Sequence, residues 1–360
     1  MEPIRVLIVD DSAVIRRHLS EVLASDPEIS IAGTAPSGQL ALVRIPELKP
    51  DLVTLDVEMP GMNGLETLVE IRKLYPRLPT IMFSTLTGPG ASATVEALAR
   101  GASDYALKPS LAGSAEAARE RVLLELVPKI KALCRRPAVP ARSPARHVPV
   151  PFVSPAVAPA RVDVVAIGSS TGGPNALVEV IPQFPADFPL PILIVQHMPA
   201  MFTNLLATRL NGMSKLKVQE AKDGDKLRGG QIWIAPGDYH MLVAGETPDR
   251  QIVLNQNPPE NSCRPAVDCL FRSVAASYGA HVLAVVLTGM GSDGTRGAEA
   301  IRKAGGTVIV QDEASSVVWG MPGSVVSAGL AEKVCPLNEI AGELVRRTAS
   351  RKTLAGSARS

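Results

Sequence analysis

Apolar and polar residues alternate in a regular way over the first 134 residues. Short apolar runs such as IRVLIV and LVTL alternate with segments such as GLETLVEIRKL, in which apolar residues recur at helical spacing. This change of pattern occurs five times. Strands alternating with helices predict a parallel sheet with helices on both faces. We therefore expect an α/β domain with five strands over residues 1–134.

Residues 135–161 interrupt this pattern, and a second alternation follows. The interruption is rich in proline and arginine and has no acidic residue, which favours an extended tether. Over residues 162–348, five strand candidates predict a doubly wound α/β domain: VDVVAIG, PILIVQ, QIWIAP, HVLAVVLTG and TVIVQD. The stretches IAPGDYHMLVAG and RQIVLNQ indicate an antiparallel β insertion. We expect residues 349–360 to form a flexible tail.

Composition narrows the choice of partners and compartment. The formal net charge is +2, so no field of one sign favours nucleic acid or an anionic membrane. The start, MEPIRVLIVD, has no basic leader, and no apolar run reaches the ~18–20 residues of a membrane helix. We therefore expect a cytoplasmic protein without membrane insertion. The four cysteines lack metal-site spacing and are expected to be reduced, small buried residues.

Polar residues follow several strands of the first domain. Asp10 and Asp11 follow the first strand, Asp56 the third, Ser84 ends the fourth and Lys108 follows the fifth. The carboxyl ends of parallel strands lie at one edge, where clustered carboxylates suit Mg²⁺. A lysine and a hydroxyl there could hold phosphoryl oxygens. In the alternative interpretation, Asp11 or the next serine caps a helix and Asp56 only starts a turn.

Four motifs in this order, IVDDS, LDVEMPGMNGLE, FSTLT and ALKP, resemble the response-regulator receiver family. The resemblance covers the whole first domain and implies a flavodoxin-like fold with Asp56 as phospho-acceptor. It implies that Asp11, Asp56 and the main-chain carbonyl of Glu58 hold Mg²⁺, with Asp10 supporting it through water. The residues that it implies couple phosphorylation to shape are Ser84, Tyr105 and Lys108.

The stretch GSSTGGP, which follows the first strand of the second domain, indicates a different kind of site. It lacks the lysine of a Walker loop and the spacing of a dinucleotide loop. It does fit G-x-S-x-G, with Gly168 and Gly172 flanking Ser170 at a strand-to-helix turn. This pattern selects Ser170 over Ser169 as a nucleophile. The alternative is that one of these serines caps the helix beginning near Pro174.

A serine nucleophile needs a base at the same sheet edge. His197 directly follows PILIVQ and is the best candidate, whereas His281 precedes its strand. His240 lies in the predicted insertion, where a core or substrate-side role is plausible. The third member should be a carboxylate beyond another strand. Asp293 in LTGMGSDG qualifies, although it could also cap the following helix, and Asp312 is the runner-up.

The order serine, histidine, aspartate differs from that of the α/β-hydrolases. The motifs IGSSTGGP, QHMP, IAPGDYHM, CRPAVD, LTGMGSDG and QDEASSVVWGMPG instead resemble the catalytic domain of the chemotaxis protein-glutamate methylesterases. The resemblance implies Ser170 as nucleophile, His197 as general base and acid, and Asp293 as orienting carboxylate. It adds the N–H of Met290 as oxyanion donor and Thr171 as an assisting residue. It implies hydrolysis of glutamate methyl esters and deamidation of glutamines on chemoreceptors, and no cofactor for the esterase reaction.

The two resemblances together imply a regulated enzyme. The unphosphorylated receiver would cover the esterase cleft, and phosphorylation by a chemotaxis histidine kinase would release it. Two alternatives stay open: the same chemistry in a chemosensory pathway that does not control swimming, and a phosphorylation-dependent binding module with little turnover. A DNA-binding regulator is disfavoured by the long α/β output half and the near-neutral charge.

Overall fold

The computed structural model describes residues 2–85, 88–108, 114–134, 161–246 and 248–356. The chain divides into two compact units, Met1–Cys134 and Arg135–Ser360. The tether predicted over residues 135–161 lies outside the described residues except for Arg161.

The first unit contains a five-stranded parallel sheet in the order β2-β1-β3-β4-β5. Its strands are β1 (Ile4–Val9), β2 (Ile29–Ala35), β3 (Leu52–Asp56), β4 (Thr80–Ser84) and β5 (Asp104–Leu107). Its helices are α1 (Ala13–Leu23), α2 (Gly38–Leu48), α3 (Gly64–Leu74), α4 (Gly88–Ala99) and α5 (Ala115–Cys134). The five predicted strands and the flavodoxin-like order are confirmed.

The helices of this unit begin at capping side chains that follow the strands. The Ser12 hydroxyl accepts a hydrogen bond from the N–H of Ile15 and caps α1, so Asp11 is free of that role. Asn63 and Glu66 form a reciprocal capping box at the start of α3. Because Ser12 and Asn63 supply these caps, the carboxylates at the ends of β1 and β3 stay available for other contacts.

The second unit contains a seven-stranded parallel sheet in the order β14-β13-β12-β6-β7-β9-β8 and a separate antiparallel pair, β10-β11. Its strands are β6 (Val164–Ser169), β7 (Ile192–Gln196), β8 (Lys217–Glu220), β9 (Gln231–Ile234), β10 (His240–Ala244), β11 (Gln251–Asn255), β12 (Val282–Val286), β13 (Thr307–Gln311) and β14 (Lys333–Cys335). Its helices are α6 (Gly173–Val180), α7 (Phe202–Met213), α8 (Val267–Tyr278), α9 (Thr295–Lys303), α10 (Gly320–Ser327) and α11 (Leu337–Gly356). The predicted doubly wound sheet and antiparallel insertion are confirmed.

Two features of this unit differ from the sequence-based expectations. The sheet has two further strands, β8 and β14, which lie at its two edges and are short and polar. Helix α11 continues to Gly356, into the segment expected to be a flexible tail. Residues 349–356 contain no proline, and their only glycine is the last residue, so the chain offers no earlier helix breaker.

Candidate active site

The three central strands of the second sheet bring the predicted catalytic residues to one edge. Strand β6 lies between β12 and β7, and its last pairing joins Ser169 to Gln196. Ser170 and His197 are the next residues on these strands, and the N–H of His197 donates to the Ser169 carbonyl at 3.1 Å. Asp293 lies in the loop between β12 and α9.

Backbone hydrogen bonds hold Ser170 in a turn after β6. Its N–H donates to the Thr288 carbonyl at 3.0 Å, and its own carbonyl accepts from the side-chain amide of Gln196 at 2.9 Å. The residue at the cap of α6 is Gly172, whose φ of +77° favours glycine. Neither serine therefore caps α6 through its side chain. The half-buried Ser170 hydroxyl makes no hydrogen bond to any residue that the structure describes.

His197 is nearly buried, with 11% of its side chain exposed. Its Nε2 lies 2.8 Å from Oδ2 of Asp293, and its Nδ1 lies 3.4 Å from Sγ of Cys263. Burial lowers the pKa of the imidazole. The hydrogen bonds with Asp293 and Cys263 outweigh that effect and raise the pKa of His197 to about 10.

The Asp293 carboxylate is buried and saturated with donors. Beyond His197, these donors are the backbone N–H groups of Val267 (2.6 Å), Asp268 (3.0 Å) and Gly294 (2.9 Å) and the side-chain amide of Asn261 (2.8 Å). Burial alone would raise the pKa of Asp293, but the hydrogen bond with His197 and the backbone donors lower it. The carboxylate is therefore ionised, and Nε2 of His197 is the donor in their bond.

The loop after β12 also approaches the serine. A Cβ atom placed on Gly289 would lie 2.9 Å from Cβ of Ser170, so Met290 follows a point of direct contact with the proposed nucleophile. Thr171 is buried, and its carbonyl accepts from the hydroxyl of Thr288 at 3.0 Å. Its side chain makes no hydrogen bond within the described part of the chain.

The other candidates from the sequence have different partners. Asp312 accepts from the N–H and hydroxyl of Ser315. His240 is buried, its Nδ1 accepts from the N–H of Ala266 at 3.2 Å, and its Nε2 lies 3.1 Å from the Pro258 carbonyl. His281 is exposed in the turn before β12. The structure brings His197, not these residues, into contact with Asp293.

In the first unit, the carboxylates of Asp10, Asp11 and Asp56 have oxygens within 4.8 Å of one another. Asp10 and Asp56 are buried, and Nζ of Lys108 lies 2.9 Å and 2.7 Å from their oxygens. Burial raises the pKa of Asp56 to about 6, although Lys108 opposes the shift. Three carboxylates and one ammonium leave an excess of negative charge, and oxygen donors with such an excess fit Mg²⁺.

The remaining predicted receiver residues surround this cluster. The N–H of Glu58 donates to Oδ1 of Asp56 at 3.1 Å, which places the backbone of Glu58 directly beside the carboxylate. The buried Ser84 hydroxyl donates to the carbonyls of Thr85 and Gly90, both at 3.1 Å. Tyr105 is buried, and desolvation raises its pKa well above the ordinary value.

Comparison with known proteins identifies both units. The response regulator receiver domain matches residues 6–118, and the CheB methylesterase domain matches residues 165–344. A protein-glutamate methylesterase/protein-glutamine glutaminase of Trichodesmium erythraeum is 51% identical over 96% of this chain and 99% of its own length. A protein of the same name from a Nocardioides species is 48% identical over 98% of this chain and 97% of its own length.

The chain belongs to the CheB methylesterase family. The resemblance drawn from its motifs is thereby confirmed. Among solved structures, the catalytic domain of the Thermotoga maritima CheB methylesterase matches with a TM-score of 0.51 and 44% identity, covering 51% of this chain and 98% of that one. No helix among the described residues is long and apolar enough to cross a membrane.

Several residues of this CheB-family site were missed from the sequence. Gln196 is buried, accepts from the Ser169 hydroxyl at 2.7 Å and donates to the carbonyl of Ser170, so it links β6 and β7 behind the serine. Cys263 and Asn261 contact His197 and Asp293. All four cysteines are free thiols, but only Cys335 is buried, so the expectation of small buried residues holds for that one alone. In the sequence, the signals for two of these residues were the motif QHMP, which begins with Gln196, and the motif CRPAVD, which begins with Cys263.

Proposed function

We propose that this chain is a phosphorylation-activated serine hydrolase of chemotaxis adaptation. It demethylates glutamate γ-methyl esters on chemoreceptors and deamidates glutamines there. The observation that carries the proposal is the 2.8 Å bond between His197 and a buried, ionised Asp293, at the sheet edge where Ser170 follows the adjacent strand. Relatives that match almost the full chain carry the name protein-glutamate methylesterase/protein-glutamine glutaminase.

The contacts of His197 assign its two nitrogens. Because Nε2 donates to Asp293, only Nδ1 can accept the proton of the Ser170 hydroxyl. The serine oxygen attacks the ester carbonyl, and Nδ1 returns the proton to the departing methoxide, which leaves as methanol. Water then attacks the acyl-enzyme with His197 again as base and releases the glutamate side chain. Deamidation follows the same course with ammonia as the leaving group.

The oxyanion of each tetrahedral intermediate needs donors beside Ser170. We assign this role to the N–H of Met290, which follows the glycine in contact with the serine. Thr171, next to the serine in the chain, would assist at the histidine or at the serine hydroxyl. A donor of this kind stabilises the transition state by roughly 3–4 kcal/mol.

Regulation is assigned to the receiver unit, with Asp56 as phospho-acceptor. Asp11, Asp56 and the carbonyl of Glu58 would hold Mg²⁺, and Asp10 would support the ion through water. When bound, the ion screens the charge of the incoming phosphoryl group. Lys108 already contacts Asp56 and would bind a phosphoryl oxygen.

Two further residues would report the phosphorylated state. The Ser84 hydroxyl must leave the carbonyls of Thr85 and Gly90 to reach the phosphoryl group, so phosphorylation would alter the start of α4. Tyr105 lies on the neighbouring strand and would take part in the same change. A phosphoryl group adds about −1.5 to −2 charges, enough to bias a two-state surface.

We assign residues 1–134 to the receiver, 135–161 to a tether and 162–348 to the esterase. In this proposal, a chemotaxis histidine kinase activates the esterase by phosphorylating Asp56. Both partners act on the cytoplasmic side of the membrane, where we place this protein. The esterase reaction itself uses no cofactor in this proposal.

The test is methanol release from a methylated receptor fragment, with and without Mg²⁺ and a small phosphodonor. We expect Ser170→Ala to abolish release and Asp56→Ala to keep the basal rate without stimulation. Ser169→Ala is the matched control. The hydroxyl of Ser169 donates to Gln196 and takes no part in the proposed reaction, so we expect this variant to retain most of the activity. Undiminished release by Ser170→Ala would refute the assignment of the nucleophile.

A further inference from the structure

The nitrogen of His197 that must serve Ser170 already has a partner. Nδ1 lies 3.4 Å from Sγ of Cys263, within the range of a hydrogen bond to sulfur. The Ser170 hydroxyl, in contrast, makes no hydrogen bond within the part of the chain that the structure describes. Asp293, His197 and Cys263 are thus joined by contacts on both ring nitrogens, and the Ser170 hydroxyl is not part of this network.

We propose that Cys263 is a positioning residue of the esterase, whose thiol competes with the Ser170 hydroxyl for Nδ1 of His197. This inference rests on the proposed function, because it concerns the nitrogen that acts as base. The Cys263 sulfur accepts the Nδ1 proton of the imidazolium, and this contact favours the protonated ring, which cannot act as the base. The ring can take the serine proton only after Nδ1 has lost this proton and separated from Cys263.

The turn that carries Cys263 is built to place the thiol there. The N–H groups of Glu260 and Cys263 donate to each other's carbonyls at 3.1 Å and 2.9 Å. The two residues between them, Asn261 and Ser262, have φ values of +53° and +61°. The Asn261 side chain donates to Asp293 at 2.8 Å. One turn therefore supports the carboxylate on one side of the imidazole and presents the thiol on the other.

The charges around His197 allow the thiol to affect its titration. Asp293 faces Nε2 and Cys263 faces Nδ1. Asp268 is linked to Asp293 through Asn261. Glu260 is paired with Arg272 at 2.5 Å and also accepts from Cys269, so its charge is largely compensated. Among the described residues, Asp293 and Cys263 are the titratable groups that hydrogen-bond with the ring.

Removal of the thiol should therefore ease deprotonation of His197. Burial opposes the imidazolium, and contacts with Asp293 and Cys263 stabilise it. Without Cys263, only the carboxylate contact remains, and the pKa of His197 falls. Because the neutral imidazole is the base, the rise of kcat/KM with pH should move to lower pH by the same amount.

The first experiment follows His197 directly by NMR in the full chain labelled at histidine, with His197→Gln to assign its resonance. We expect Cys263→Ala to lower the titration midpoint by about one pH unit or more. Cys263→Ser should fall between this variant and wild type. Cys269→Ala removes another half-buried thiol of the same segment without contact to His197 and should leave the midpoint unchanged.

The second experiment measures methanol release against pH for the same proteins. A parallel shift of kcat/KM with little change in KM supports the competition for Nδ1. An unchanged midpoint in a folded Cys263→Ala or Cys263→Ser protein overturns the inference, whatever the activity. If wild type releases no methanol, the proposed function fails, while the NMR titration still decides whether Cys263 controls His197.

Discussion

Replacement of Asp293 by asparagine tests the network that orients the proposed base. Oδ2 accepts from His197 and Val267, and Oδ1 accepts from three further N–H donors. The side chain of the new asparagine can take two orientations. With its oxygen in the Oδ1 position it keeps three donors, against two in the Oδ2 position, so we expect its NH₂ group to face His197 and Val267. An amide N–H there needs Nε2 as acceptor, and the imidazole proton therefore moves to Nδ1.

This tautomer has no lone pair on Nδ1 for the Ser170 proton, so the base is lost. We expect kcat for methanol release to fall by about 10⁴-fold, the effect of a wrong tautomer in a serine hydrolase. The buried N–H of Val267 also loses its acceptor, which lowers the free energy of unfolding by about 1–3 kcal/mol. Urea unfolding followed by the fluorescence of the buried Trp233 measures this second effect.

The control for Asp293→Asn is Asp312→Asn. Asp312 follows β13, contacts Ser315 and has no bond to His197, so its replacement should leave kcat close to that of wild type. The reasoning would be refuted by an Asp293→Asn protein that retains most of its kcat. Equal losses in the two variants would also refute it, because they would indicate general damage to the sheet edge.

Three other perturbations probe separate parts of the molecule. Gly289→Ala places a Cβ atom against Sδ of Met321 and 2.9 Å from Cβ of Ser170, so it should displace the serine turn and lower kcat without changing phosphorylation of the receiver by a labelled phosphodonor. Chelation of Mg²⁺ with EDTA should abolish stimulation by the phosphodonor and leave basal methanol release unchanged. Glu343 is buried, which raises its pKa, but three cationic partners on α11 and β14 lower it to about 2. The ionised Glu343 carboxylate therefore stabilises the folded protein fully above pH 4.5, and this contribution is lost as the pH falls toward 2. Urea unfolding should show that acid lowers the free energy of unfolding more in wild type than in Glu343→Gln.

Most strands of both sheets were predictable because they are apolar runs buried on both faces. Every residue of β6 (VVAIGS) and β12 (VLAVV) is buried, and both are nearly continuous apolar runs in the sequence. The edge strands β8 and β14 were not predictable. They contain only a few residues with lysine, glutamine or glutamate among them, and pairing at an edge leaves no periodic apolar pattern.

The sequence allowed prediction of those site residues whose positions follow from the ends of neighbouring strands. Ser170 and His197 follow neighbouring parallel strands, so their proximity follows from the sheet. The contacts of Asn261 and Cys263 could not be derived in this way. They depend on positive φ values at two consecutive residues that are not glycine, and composition does not signal such a turn.

The topology of the second sheet explains why the proposed triad runs serine, histidine, aspartate along the chain. The unit begins with β6, adds β7 beside it, and later returns to place β12 on the opposite side. Helix α6 packs against α7 and α11, whereas α9 packs against α8 and α10. The boundary between β6 and β12 is therefore a topological switch point of the sheet. Asp293 approaches this boundary from the β12 side and is held by the N-terminal residues of α8, so it reaches His197 across the end of β6. The three proposed triad residues follow three adjacent strands of this sheet, and the order in which the chain visits those strands sets the order of the residues.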